Sequence, residues 1–148
     1  MTVVYSKGFY QTCEKSDGGV LSGADDLFTI TGAPVLVTEF VGIVTTVIGG
    51  VANCQIKLVV TEPAGTVNLS TNVAIDSDAA GTSYTFTTAD PSVLTPTTAG
   101  ALEAIPRIAW LCPIGTINAT CSAARTGNIK WYIGYYMLSQ YSKVVAAA

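Results

Sequence analysis

Few residues in this chain are able to do chemistry, and one absence narrows the choice further. The sequence contains no histidine, so the commonest general base and commonest metal ligand are both missing. Paired carboxylates remain. Asp25-Asp26 and Asp76-x-Asp78 are the pairs that could divide acid and base roles, as glycoside hydrolysis requires. Both pairs sit among Gly, Ala and Ser, where Asp is favoured simply for capping nearby backbone. The Asp-x-Asp spacing suits calcium in part, but the further oxygen ligands of such a site are not beside it. No Gly-x-Ser-x-Gly, phosphate-binding loop or dinucleotide fingerprint occurs. The expectation is a protein that is not an enzyme and uses no cofactor or metal.

The cysteines follow the same logic. Cys13, Cys54, Cys112 and Cys121 form no Cys-x-x-Cys pair, which leaves zinc without support. The N-terminus, MTVVYSKGFYQTC, lacks the basic-then-apolar order of a secretory signal, and nothing reaches the roughly 18 apolar residues of a spanning helix. A reducing cytoplasm is therefore expected, with the cysteines as small buried hydrophobes. Disulfides formed later, in an exported assembly, are the alternative, and four cysteines allow three pairings. Without a secretory signal, Asn68-Leu-Ser70 and Asn118-Ala-Thr120 are chance matches to the glycosylation pattern.

The elements that must hold these residues are β-strands. Leu27 to Thr31 runs into a Gly-Ala-Pro turn, and Val35 to Ile48 follows as a long run apolar on both faces. Gly42 is the expected site of a bulge in it. Strands are predicted at 54–63, 66–73, 83–87, 107–112, 116–121 and 128–137, with loops at 74–81 and 90–106. The TTAGALEAI stretch has the composition for a turn or two of helix. Eight or nine strands without an α-rich segment predict an all-β single domain over residues 1–148. A β-sandwich is expected, in jelly-roll form, with an up-and-down barrel as the alternative.

Composition says what the outside of that domain is like. Charged residues make up only 11% of the 148 residues, against roughly 25% in an ordinary soluble domain. Twenty threonines and a net charge of −3 accompany that deficit. Charge is what a free monomer uses to repel its neighbours, so a neutral surface suits one that lies against other protein. The seven basic residues are scattered, which leaves no footprint for nucleic acid and no patch for an anionic membrane.

The last strand concentrates the aromatics. Ile129, Trp131, Ile133, Tyr135 and Met137 share one face and belong in the core. Tyr132 and Tyr136 share the other and flank Gly134, which leaves a dip between two rings. That second face reads as core lining or solvent-facing scaffold, as a contact surface for protein, or as a glycan site. The two chain ends, an N-terminal arm (1–10) and a C-terminal tail (139–148), are expected to extend onto neighbouring subunits, since loose apolar ends gain nothing in isolation. The expected interface residues are thus Val3, Val4, Tyr5, Phe9, Tyr10, Tyr132, Tyr136, Tyr141, Val144 and Val145.

At these residues the chain resembles a group of small virion proteins of tailed bacteriophages. Early in the chain the likeness lies in Leu27, Phe28, Thr29, Thr31 and Gly32. Late in the chain it lies in Gly127, Ile129, Trp131, Tyr135, Leu138, Ser139, Lys143, Val144 and Val145. The resemblance implies a head decoration or cement protein with a sandwich or jelly-roll fold. It would work as a symmetric oligomer, with a trimer favoured by the three-fold sites of capsid shells, and its partner would be the major capsid protein on the outer head surface. A tail- or fibre-associated receptor binder, contacting glycans through loops near 76–81 and 90–100, is the alternative.

Overall fold

The computed structural model describes residues 10–16, 20–21, 23–86, 94–98, 100 and 108–148. Those residues form two antiparallel sheets packed face to face, the expected β-sandwich. The first, seven-stranded sheet runs β1 (Tyr10–Ser16), β12 (Arg125–Met137), β4 (Val35–Gly49), β8 (Ser83–Phe86) and β9 (Leu94–Thr97). Off that path, β2 (Val20–Leu21) pairs with β12 and β10 (Trp110–Cys112) with β4. The second, six-stranded sheet runs β13 (Lys143–Ala146), β3 (Ala24–Thr31), β11 (Gly115–Cys121), β5 (Val51–Val60) and β6 (Gly65–Asn68), with β7 (Val73–Asp76) on β5. Among the described residues no helix is long and apolar enough to cross a membrane. The TTAGALEAI stretch falls mostly outside the described residues.

The core is aromatic and centred on Phe40. Its ring meets Phe28 from the opposite sheet edge-on, and Phe86, Trp110 and Trp131 from its own. Tyr84 stacks on Trp131 at a centroid separation of 6.2 Å. Ile129, Trp131, Ile133 and Tyr135 all point inward, as alternation along β12 requires. Opposite them lie Ile30, Ile56, Leu58 and Ile117.

Three expectations about this framework are corrected. The bulges in β4 lie not at Gly42 but at Thr45, left unmatched between the Asn128–Thr46 and Ile129–Val44 pairs, and at Thr38: Gly134 pairs with Glu39 and Tyr135 with Val37, which leaves Thr38 unmatched. The extra residue flips the faces, so Val35 and Val37 are buried before it and Phe40 and Val44 after it. Gly42 instead makes room: a Cβ there would lie 2.5 Å from Trp131 Cζ3. Second, residues 66–73 are not one strand and 74–81 not wholly a loop, because β6 ends at Asn68 and β7 starts at Val73. Between them Ser70 turns inward, and its hydroxyl accepts the Ile56 N–H at 2.8 Å. Third, Asp25 and Asp26 lie within β3 and not in a turn.

The cysteines differ as well. Cys54 and Cys121 face each other across β5 and β11 and are joined as a disulfide. Spacing could not choose that pair, because 67 residues separate them and only the sheet register brings them opposite. Cys112 is a buried free thiol and Cys13 a half-buried one. Burial alone pushes the Cys112 thiol up to about 12.

The C-terminal tail is not detached. It turns at Ser139–Ser142, where the Ser139 N–H donates to Ser142 Oγ and that hydroxyl donates to the Pro34 carbonyl at 2.8 Å. Gly32, at φ 78°, sits so close under Tyr141 that its backbone would clash with any Cβ. The chain then re-enters as β13, with Val144 opposite Ile30 and 95% buried by its 5% exposure. Burying a valine and recovering edge hydrogen bonds favours this over a free end.

Candidate functional site

The outer face of the seven-stranded sheet carries the unusual surface, and sheet register builds it row by row. Tyr10 on β1 pairs with Tyr136 on β12, Tyr136 with Leu36 on β4, and Leu36 with Leu111 on β10. Four adjacent strands thus present one apolar row. Its members are exposed by 36% at Tyr10, 40% at Tyr136 and 68% at Leu111, and the Tyr10 and Tyr136 rings touch at 5.3 Å between centroids. Leu138, the next outward position after Tyr136, is also exposed.

The second row is Thr12, Gly134 and Glu39, and the third is Glu14, Tyr132 and Val41. Lys130 and Ile43 follow in the fourth. Because Gly134 has no side chain, the second row is low between the two tyrosine-bearing rows. The result is a depression of about 500 Å³ lined by Thr12, Glu14, Glu39, Val41, Tyr132 and Gly134. At its upper rim the Tyr10 hydroxyl donates to the Glu39 carboxylate. A Cβ at residue 134 would run into both of those groups.

Charge on this face is sparse and unevenly matched. Lys130 Nζ lies 3.0 Å from Glu14 Oε1 and 5.4 Å from the centre of the Tyr132 ring. Its hydrogen bond to Glu14 holds the Lys130 ammonium above the usual lysine range. Glu39 is half-buried and has the Tyr10 hydroxyl as its partner, with no cation beside it among the described residues.

The opposite outer face is of another kind. There Val145, Thr29, Thr116, Val59 and Thr66 form one row across β13, β3, β11, β5 and β6. Thr120 with Gln55 and Asn118 with Lys57 pair alongside it. Small hydroxyls and amides dominate, so water covers that sheet readily.

The structure therefore brings together three of the expected interface residues, Tyr10, Tyr132 and Tyr136. Tyr141 stands apart on its turn, 69% exposed. Val145 is half-buried on the other sheet, and Val144 belongs to the core and not to a surface. Val3, Val4, Tyr5 and Phe9 lie outside the described residues. Leu36, Leu111 and Glu39 were missed in the sequence. The first and last depend on the Thr38 bulge, and Leu111 becomes prominent only when β10 pairs with β4.

Asp78 accepts a hydrogen bond from the Tyr84 hydroxyl, and its backbone carbonyl accepts the Ile48 N–H at 3.1 Å. Burial, with Asp78 second, holds the Tyr84 phenol well above the ordinary tyrosine range. That loop is fastened to the sheet. Among the described residues no three His, Cys, Asp or Glu side chains converge on a point where a metal ion would sit.

No protein-family model matches the chain, and no curated protein matches it. Two solved structures are weakly similar, both of infectious bursal disease virus. The Gt strain structure is 14% identical with a TM-score of 0.28, over 93% of this chain and 39% of that one. The Gx strain structure is 15% identical with a TM-score of 0.26, over 91% of this chain and 38% of that one. This chain thus spans under two fifths of the length of those it is compared with. Likeness of that degree carries no argument about what the chain does.

Proposed function

We propose that this chain is a non-enzymatic structural protein of a virion: a decoration or cement protein bound to the outer surface of the head. In this reading it bridges capsid subunits as a symmetric oligomer, with a trimer favoured, after synthesis in the host cytoplasm. The observation that supports it is the apolar row of Tyr10, Tyr136, Leu36 and Leu111 across four strands. Aromatic and leucine side chains left on an otherwise Thr-covered sandwich gain free energy when a partner excludes water from them. The low charge of the chain removes the repulsion that would oppose such packing. The contribution to the shell is mechanical: each copy adds interface free energy, and many copies add it many times.

The test is a binding measurement on intact shells. Shells stripped of this chain are mixed with the wild-type protein and with a Leu111→Ser/Tyr136→Ser double variant, then sedimented. Wild type is expected to co-sediment to saturation, and the variant to lose most of that binding while unfolding at a similar temperature. Equal binding by both proteins, or none by wild type, overturns the reading.

A further inference from the structure

We infer that the Cys54–Cys121 disulfide is a redox-sensitive lock that closes after folding. The chain reaches its native sheets with all four thiols reduced, and oxidation of this one pair then fastens the excursion between them. The lock stands apart from the docking reading; only the moment of its closing, on release from a reducing cytoplasm, rests on the proposal above.

An unfolded chain would choose another pair. Cys112 and Cys121 are nine positions apart, whereas Cys54 and Cys121 are separated by 67. The shorter loop closes more readily, on the order of 20-fold by chain entropy alone. Oxidation before folding therefore drives the chain toward Cys112–Cys121. The fold removes that choice. Cys112 lies in β10 against Val35, and Cys13 in β1 against Ile133, both in the seven-stranded sheet. Cys54 and Cys121 lie opposite each other in the six-stranded sheet, with Cα atoms 4.1 Å apart.

Backbone pairing on both sides sets that rung. On one side β5 and β11 stay in register from Gln55 opposite Thr120 to Val60 opposite Gly115. On the other, the Asn53 N–H donates to Ser122 Oγ at 3.0 Å, and the Ser122 N–H donates to the Asn53 carbonyl at 2.8 Å. The sheet thus brings the two sulfurs together without needing a covalent bond. A gap of about 10 Å³ beside Cys54, bordered by Val73 and Trp131, leaves room for two separate thiols. Cys112 does not compete, since burial pushes its thiol up to about 12 and leaves almost no thiolate.

The oxidant is a low-molecular-weight disulfide. Cys121 ends β11 beside the exposed Ser122, so opening of that turn admits the reagent. The Cys121 thiolate attacks one sulfur of the reagent and expels the first small thiolate. The Cys54 thiolate then attacks the Cys121 sulfur of that mixed disulfide and expels the second. The reagent leaves as two thiols, having taken up the two electrons and two protons that the cysteines lost. The new bond closes a loop containing β6 to β10, which restricts the unfolded chain and so stabilises the fold.

The experiment uses the full chain, purified under dithiothreitol, with urea unfolding followed by tryptophan fluorescence. The reduced chain is expected to unfold in one cooperative transition. Oxidised glutathione added without urea should give Cys54–Cys121 as the protein disulfide, mapped by mass spectrometry, and raise the melting temperature by about 10 °C. The same reagent in urea should give mainly Cys112–Cys121. Cys54→Ala should gain no melting temperature from the oxidant. A reduced chain without a cooperative transition, a different disulfide from native oxidation, or a melting temperature unmoved by it would overturn the inference. So would Cys54–Cys121 as the main product in urea, or a gain in Cys54→Ala. None of these readouts involves shells, so failure here leaves the docking reading standing.

Discussion

Trp131 and Gly42 form a matched pair, and only half of it is visible in the sequence. Alternation along residues 128–137 places Trp131 inward, and the structure puts it there. That Gly42 lies beneath the indole depends on which residue of β4 stands opposite, and sequence spacing does not contain that register. Gly42→Ala is expected to destabilise the domain by about 1–3 kcal/mol, since the ring must move within a packed core. Urea unfolding of the variant checks this. The thiols give a second expectation: at about pH 8, Cys13 should react with a maleimide in the native protein. Cys112, buried and pushed up to about 12, should react only after unfolding, as mass spectrometry of labelled peptides would show. Tyr84 supplies a dependence on pH. Its phenol is held protonated in the fold by burial and Asp78, whereas an unfolded tyrosine releases its proton near pH 10. The unfolded state therefore binds fewer protons above that pH. Stability from this group is full below about pH 10 and lost as pH rises beyond it. Urea midpoints from about pH 9 to about pH 11 should fall less in Tyr84→Phe than in wild type.

At the scale of elements, the long apolar runs announce strands and the Gly/Pro clusters announce turns, because both signals are local. Bulges are not local. The Thr38 bulge depends on how β12 and β10 sit against β4, and it alone decides that Leu36 and Glu39 share an outer face. The tail misleads for a similar reason. Taken alone, Ser139 to Ala148 is a loose apolar end, and its true partner is the edge of β3, more than a hundred residues earlier. Val144→Ala removes two buried methyl groups at that edge and is expected to cost about 1.5 kcal/mol, read as a lowered melting temperature. Removal of residues 139–148 should cost much more, since it also uncovers Phe28 and Ile30. The disulfide between Cys54 and Cys121 was likewise hidden until β5 and β11 were in register, although the cysteine count had left it open.

At the scale of the whole molecule, composition anticipated a neutral, Thr-rich exterior without saying how it is divided. The two outer faces divide it unequally: hydroxyls and amides, with Val51 and Val59 among them, cover one sheet, while tyrosine, leucine and a carboxylate held by the Tyr10 hydroxyl stand on the other. A protein that lies on a shell would place the second face inward and the first toward solvent. The most direct measurement is the copy number of this chain in purified particles, taken against the major shell protein by quantitative mass spectrometry. The account predicts a stoichiometry on the order of hundreds of copies per particle, as repeated interfaces on a shell require. Absence of the chain from the particles, or a handful of copies confined to one end of them, would contradict it.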